Sequence, residues 1–146
     1  MITVYKATRH DGTDYRTGKL LYKVGETLTV ANPDPAGTGC CRPGLHVSPT
    51  ARMTCQYIET HKRGPRARFF ECHVKDEDVL DRETTKLRVR SLYVAREVPF
   101  EEVFGEDVVA RIATIRAETA TWRRISWLKP TRNLTDEELT ALFLRW

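Results

Sequence analysis

Long hydrophobic runs are missing from this chain. No apolar segment approaches the roughly 18 residues of a membrane-spanning helix, which excludes a helical span. The opening segment MITVYKATRHDG does not have the pattern of a secretory signal peptide. Cysteine is scarce as well. Four cysteines without an export signal indicate reduced thiols rather than a disulfide framework. No internal repeat and no low-complexity tract interrupts the chain. What remains is an ordinary globular composition over 146 residues. That length fits one domain, able to bury roughly two thirds of its unfolded surface. The expectation is a soluble, cytoplasmic protein with no membrane partner.

Charge is modest in sum, +4, but uneven in distribution. HKRGPRAR (61–68) holds cations without a carboxylate, and residues 111–132 carry Arg111, Arg116, Arg123, Arg124, Lys129 and Arg132 against Glu118 alone. Acidic residues dominate KDEDVLDRE and EEVFGED. A segregated basic face is the footprint of a polyanion-binding surface, and equally of a solvated helix face. Arg111, Arg116, Arg123 and Arg124 are therefore the candidate surface for nucleic acid or a host protein.

The spacing of apolar residues predicts a first strand over ITVYKAT (2–8), a second over LLYKV ending at Gly25, and β-rich ETLTV. Prolines and glycines keep ANPDPAGTG irregular. Leu45 to Val47 reads as a short strand. Ser48-Pro49 then reads as an N-cap and first helical position for a helix with Ala51, Cys55 and Ile58 on its apolar face, ending near Gly64-Pro65. ARFFECHV is the strongest strand. LRVRSLYVAREV alternates as one long strand, with Leu87, Val89 and Ser91 on one side and Arg88, Arg90 and Leu92 on the other. A helical stripe follows through Val108, Val109, Ile112, Ile115 and Trp122 to about residue 126, and Pro130 ends it. Thr135-x-x-Glu138 is a capping-box signature for a last helix carrying Leu139, Leu142 and Phe143. The predicted class is α+β: a single domain over 1–146, with a strand-rich core (1–104) and C-terminal helices (105–146) packed on it.

CCRPGLHVSPTARMTCQYI (40–58) gathers three of the four cysteines and one of the four histidines. A structural zinc site uses ligands in close pairs. Adjacent Cys40-Cys41, then His46, Cys55 and Cys72-His73, supply none, so no metal ligands are predicted. A Cys41–His46 catalytic pair, its thiol activated by Arg42, lacks an orienting carboxylate and an oxyanion hole. The third alternative is the wall of a pocket built around His46.

That alternative draws on two resemblances. G-L-H-V-S-P-T-A-R-M-T-C-Q-Y (44–57) is similar to the segment of poly(ADP-ribose) polymerases and related ADP-ribosyltransferases that reads G-I-Y-F-A, then a helix, then Tyr. His46 falls where that family has its first nicotinamide-pocket tyrosine, and Tyr57 where it has the second. Tyr22, Val24, Gly25, Cys41, Gly44, His46 and Tyr57 also resemble a domain of unknown function of phage and bacterial proteins, sometimes found beside pentapeptide repeats. Its pattern, Y-x-V-G followed by C-x-x-G-[IL]-H and a helix ending in Tyr, covers about residues 2–98. The transferases place His-Gly or Arg-Gly on the first strand and a glutamate on a late strand. Here Tyr5-Lys6-Ala7-Thr8 and Lys86, Arg88 and Arg90 stand there instead. Cations suit a phosphate better than the positive charge that develops during nicotinamide release.

The resemblances imply an ADP-ribosyltransferase-like fold that handles a nucleotide or phosphate, a divergent transferase at its most active, with NAD as the cofactor to consider. His46 and Arg88 are the predicted catalytic residues, and Tyr5, Gly44, Ser48, Tyr57, Lys86 and Arg90 the ligand-binding ones, with Cys41 in support. Against this stand plainer roles. His46 and Tyr57 serve equally as core residues, and Arg88 and Arg90 as solvent-facing ones. The competing function is a non-catalytic binding protein acting on a host protein or nucleic acid.

Overall fold

The computed structural model describes residues 1–34, 42–58, 67–118 and 133–145. Its strands are β1 (Ile2–Thr8), β2 (Thr27–Thr29), β3 (Leu45–Val47), β4 (Arg68–Val74), β5 (Val79–Arg82), β6 (Leu87–Val89) and β7 (Ser91–Val98). Helices α1 (Phe100–Phe104), α2 (Glu106–Glu118) and α3 (Asp136–Arg145) follow, and a 3-10 turn, Arg52–Tyr57, lies between β3 and β4. The strands form two antiparallel sheets, one ordered β1-β4-β7-β2 and the other β3-β6-β5. The architecture is α+β. No helix among the described residues is long and apolar enough to cross a membrane.

Strand periodicity explains the layering. Along β4, Phe70, Cys72 and Val74 face the second sheet and pack with Leu45, Val47, Leu87 and Val89. Phe69 points the other way, toward Phe100, Phe104, Ile112 and Leu142 of the three helices. The larger sheet is thus covered on both faces. β7 serves both by changing sides midway. Cys72 pairs with Val94, yet Glu71 pairs with Arg96, so Ala95 is an extra residue on β7. That bulge puts Leu92 and Val94 in one core and Val98 in the other.

Three expected elements differ. LLYKV is not a strand: Leu21 makes a single bridge with Thr13, while the Tyr22 amide donates to the Gly12 carbonyl at 2.9 Å. The backbone bonds of residues 20–22 run to residues 12–14 and close a turn, and the strand begins later, at Thr27. The segment read as one strand over 87–98 breaks at Arg90, whose amide donates to Asp78 and whose carbonyl accepts from Val30. Leu87–Val89 therefore belongs to one sheet and Ser91–Val98 to the other. Finally, Ser48 caps no helix. Its amide and carbonyl both pair with Tyr5 at 2.8 Å, keeping it extended, and the Thr50 hydroxyl accepts the Met53 amide instead. A short 3-10 turn results, ending at Tyr57. Gly64, Pro65, Trp122 and Pro130 lie outside the described residues.

The capping box forms as the spacing predicts. The Thr135 amide donates to Glu138 Oε2 at 2.8 Å, and the Glu138 amide to Thr135 Oγ1 at 3.1 Å. Behind it, Leu142 is buried in the helical core.

Candidate functional site

Where β1 runs beside β3, the backbone pair between Tyr5 and Ser48 joins the two sheets. A cavity of about 460 Å³ opens there. β1 contributes Tyr5, Lys6 and Ala7; β3 and its extension contribute His46, Val47 and Ser48; the 3-10 turn contributes Thr54, Gln56 and Tyr57, with Ile58 beyond it. Tyr15 and Arg16 come from the loop after β1, and Lys86 from the residue before β6.

Asp14 shapes that loop. Its carboxylate accepts the Thr17 amide and hydroxyl, both at 2.7 Å, and the Lys19 and Leu20 amides at 3.2 and 3.0 Å. Burial works to raise its pKa, but these hydrogen bonds prevail and hold it below the usual carboxylate range. The turn so built delivers Tyr15 and Arg16 to the cavity.

Lys6 Nζ donates to the His46 carbonyl at 3.0 Å and sits 5.5 Å from the centre of the Tyr22 ring. Burial lowers its ammonium to about 8, against the opposing pull of Asp14. Burial likewise lowers His46 to about 4, assisted by the positive charges of Lys86, Lys6, Arg16 and Arg88. The imidazole is therefore neutral near pH 7 and competent to accept a proton or a hydrogen bond. His46 Nε2 and Tyr15 Oη are buried without a hydrogen-bond partner among the described residues. Burial pushes the Tyr15 hydroxyl up to about 12, so it too is neutral. At the rim, the Tyr57 hydroxyl bonds Thr85 Oγ1 at 2.6 Å and Lys86 Nζ lies 5.1 Å from its ring centre. No carboxylate lines the cavity among the described residues.

Of the predicted residues, Tyr5, His46, Ser48, Tyr57 and Lys86 meet at this cavity. Arg88, read from the sequence as a charge in the cleft, is not among the residues that line it. It is the cross-strand partner of His46, but it is 2% exposed and its Nη1 donates to the carbonyls of Asp34 and Pro43. Gly44 is needed for that arrangement: with φ at +155°, a Cβ there would lie 2.6 Å from Arg88 Cγ. Gly44 thus makes room for the Arg88 side chain. Arg90 is exposed at the junction of the two sheets, away from the cavity lining. Cys41 lies outside the described residues. Burial raises Cys55 to about 11 and Cys72 to about 12, so neither thiol is poised as a nucleophile. No group of three His, Cys, Asp or Glu among the described residues is placed to hold a metal ion.

The proposed basic surface is only partly described. Arg111 Nε bridges Glu138 Oε1 at 2.9 Å, tying α2 to α3, and Arg116 is half-buried near the end of α2. Arg123 and Arg124 lie outside the described residues.

The sequence reading missed Lys6, Tyr15 and Arg16 as site residues. A lone cation in the otherwise apolar first strand was the available signal for Lys6. Tyr15 and Arg16 carry no local signal, because Asp14 brings them in through a turn. Comparison with protein-family models, with curated proteins and with solved structures gives no match. Fold and site together define the class: an α+β protein of two antiparallel sheets with a cationic, aromatic-walled cavity where β1 meets β3.

Proposed function

We propose that this chain binds a nucleotide, or a comparable small ligand joining a phosphate to an aromatic ring, in the cavity between β1, β3 and the 3-10 turn. The chemistry of the lining carries the reading: Lys6, Arg16 and Lys86 stand with Tyr5, Tyr15 and Tyr57 around one cavity, and no described carboxylate lines it. Cations supply charge for phosphate and tyrosine faces supply a stacking surface.

Two antiparallel sheets meeting beside His46 support an ADP-ribosyltransferase-like arrangement, and NAD belongs among the ligands to test. Lys86, lining the cavity on the segment where the transferases use a glutamate, argues for phosphate handling over nicotinamide release. The catalytic form of this reading is a divergent transferase in which neutral His46 takes up a proton. Its cellular setting is that of a phage or prophage accessory protein working in the cytoplasm.

A thermal-shift panel of AMP, ADP-ribose, NAD and RNA ends tests the reading. A ligand at 100 times its Kd stabilises the native state by about 2.7 kcal/mol. His46→Ala should keep the melting temperature within a few degrees of wild type and abolish that gain. No shift with any ligand, or a His46→Ala protein that is badly destabilised yet still binds, overturns it.

A further inference from the structure

We infer that the cavity selects a phosphate monoester in its dianionic form over a phosphodiester; this deepens, and rests on, the nucleotide reading above. Two of its cations carry the argument. Lys6 spends one of its three donors on the His46 carbonyl and makes no ion pair among the described residues. Asp14 acts on it through space, but the Asp14 oxygens are already filled by Thr17, Lys19 and Leu20. Arg16 is exposed at the cavity and likewise makes no ion pair among the described residues. Both cations, together with Lys86, act electrostatically on the His46 imidazole, which places their charges around one point. A diester brings a single negative charge to such a site. A monoester brings close to two above its second ionisation, near pH 6, with three acceptor oxygens.

The pH profile follows from the groups that face each other here. Affinity should rise as pH climbs through about 6, when the monoester loses its second proton. It should fall as pH passes through about 8, where Lys6 loses its charge in the free protein. The groups acting on Lys6 are Asp14 from the loop, Cys72 from β4 and Lys86 beside β6, with the His46 carbonyl and the Tyr22 ring in contact. His46, lowered to about 4, stays neutral across this range, so the lower limb belongs to the ligand.

Calorimetric titration of the full chain decides the matter, using the four ribonucleoside 5′-monophosphates, their 3′,5′-cyclic counterparts and the parent nucleosides from pH 5 to 9. The expected result is one monophosphate binding at least about tenfold more tightly than its cyclic form, with affinity greatest between the two limbs. Lys6→Met should weaken that binding by about tenfold and remove the upper limb. Should Lys6→Met fail to fold, Arg16→Gln, at an exposed position, should weaken the monophosphate more than the cyclic form. A cyclic form that binds as tightly, or an affinity flat through pH 6, overturns the monoester inference and leaves the nucleotide reading standing. Absence of binding by every phosphate overturns both.

Discussion

His46 shows how a residue's surroundings become a pH dependence of the whole fold. Burial, and the cations around it, set its folded-state pKa at about 4, below the ordinary value of 6.5. Between these values the unfolded chain binds a proton that the folded chain refuses. Stability therefore falls as pH drops from 6.5 toward 4. His46→Gln should lose less stability than wild type across that window, measured as urea midpoints at several pH values. Parallel curves for the two proteins would remove the effect. Arg88 acts through sterics and hydrogen bonding rather than titration. Gly44→Ala forces a methyl group against Arg88 Cγ and should cost about 1–3 kcal/mol. Arg88→Ala should itself be destabilising, because it strips the carbonyls of Asp34 and Pro43 of a buried donor. In the double mutant the clash is gone, so the two costs should add to less than their sum, a coupling of about 0.5–3 kcal/mol in a double-mutant cycle. Strict additivity would mean that Gly44 is required for backbone conformation alone.

Among the elements, α3 carries the most direct test. Thr135→Ala removes the hydroxyl that receives the Glu138 amide and should cost about 1 kcal/mol in urea denaturation. Glu138→Gln keeps a side chain that can accept the Thr135 amide but loses the charge facing Arg111, so it should cost less. Equal losses would place the weight on the ion pair rather than the cap. This helix was readable in advance because a capping box is a local rule, complete within four residues. β1 and β4 were readable for a similar reason, as compact runs of apolar and β-branched residues. The break at Arg90 was not, since Leu87 to Val98 alternates smoothly and the backbone groups that claim Arg90 belong to Asp78 and Val30, distant in sequence. The 3-10 turn was misread because Ser48-Pro49 has the form of a helix start, while Tyr5 claims the Ser48 backbone. In the cavity the same division holds. His46 and Tyr57 follow from a motif, whereas Arg16 arrives by way of the Asp14 turn.

At the scale of the molecule, two cores share one sheet. Phe70 is buried toward the second sheet and Leu142 toward the helices, both with essentially no exposure. Phe70→Ala and Leu142→Ala should each cost about 2–5 kcal/mol. Because β4 and β7 line both cores, each substitution should lower one common unfolding transition, seen alike by far-UV and near-UV dichroism. Separate transitions in Leu142→Ala would show that the helical layer melts by itself. The bulge that absorbs Ala95 keeps this sharing in place, and it also sets what kinds of change the strand tolerates. Ala95 can exchange for another small side chain with little consequence, since it is the extra residue on the strand. Removing it restores strict alternation without turning the strand: Val94 still lies opposite Cys72, and Arg96, Glu97 and Val98 still lie opposite Glu71, Phe70 and Phe69. If Ala95 stayed and the bulge straightened, Val98 would instead join the face of Val94 and Glu97 would turn toward the helical core. β7 is therefore a strand in which a single-codon deletion at Ala95 leaves both cores their own residues, whereas straightening the bulge around it does not.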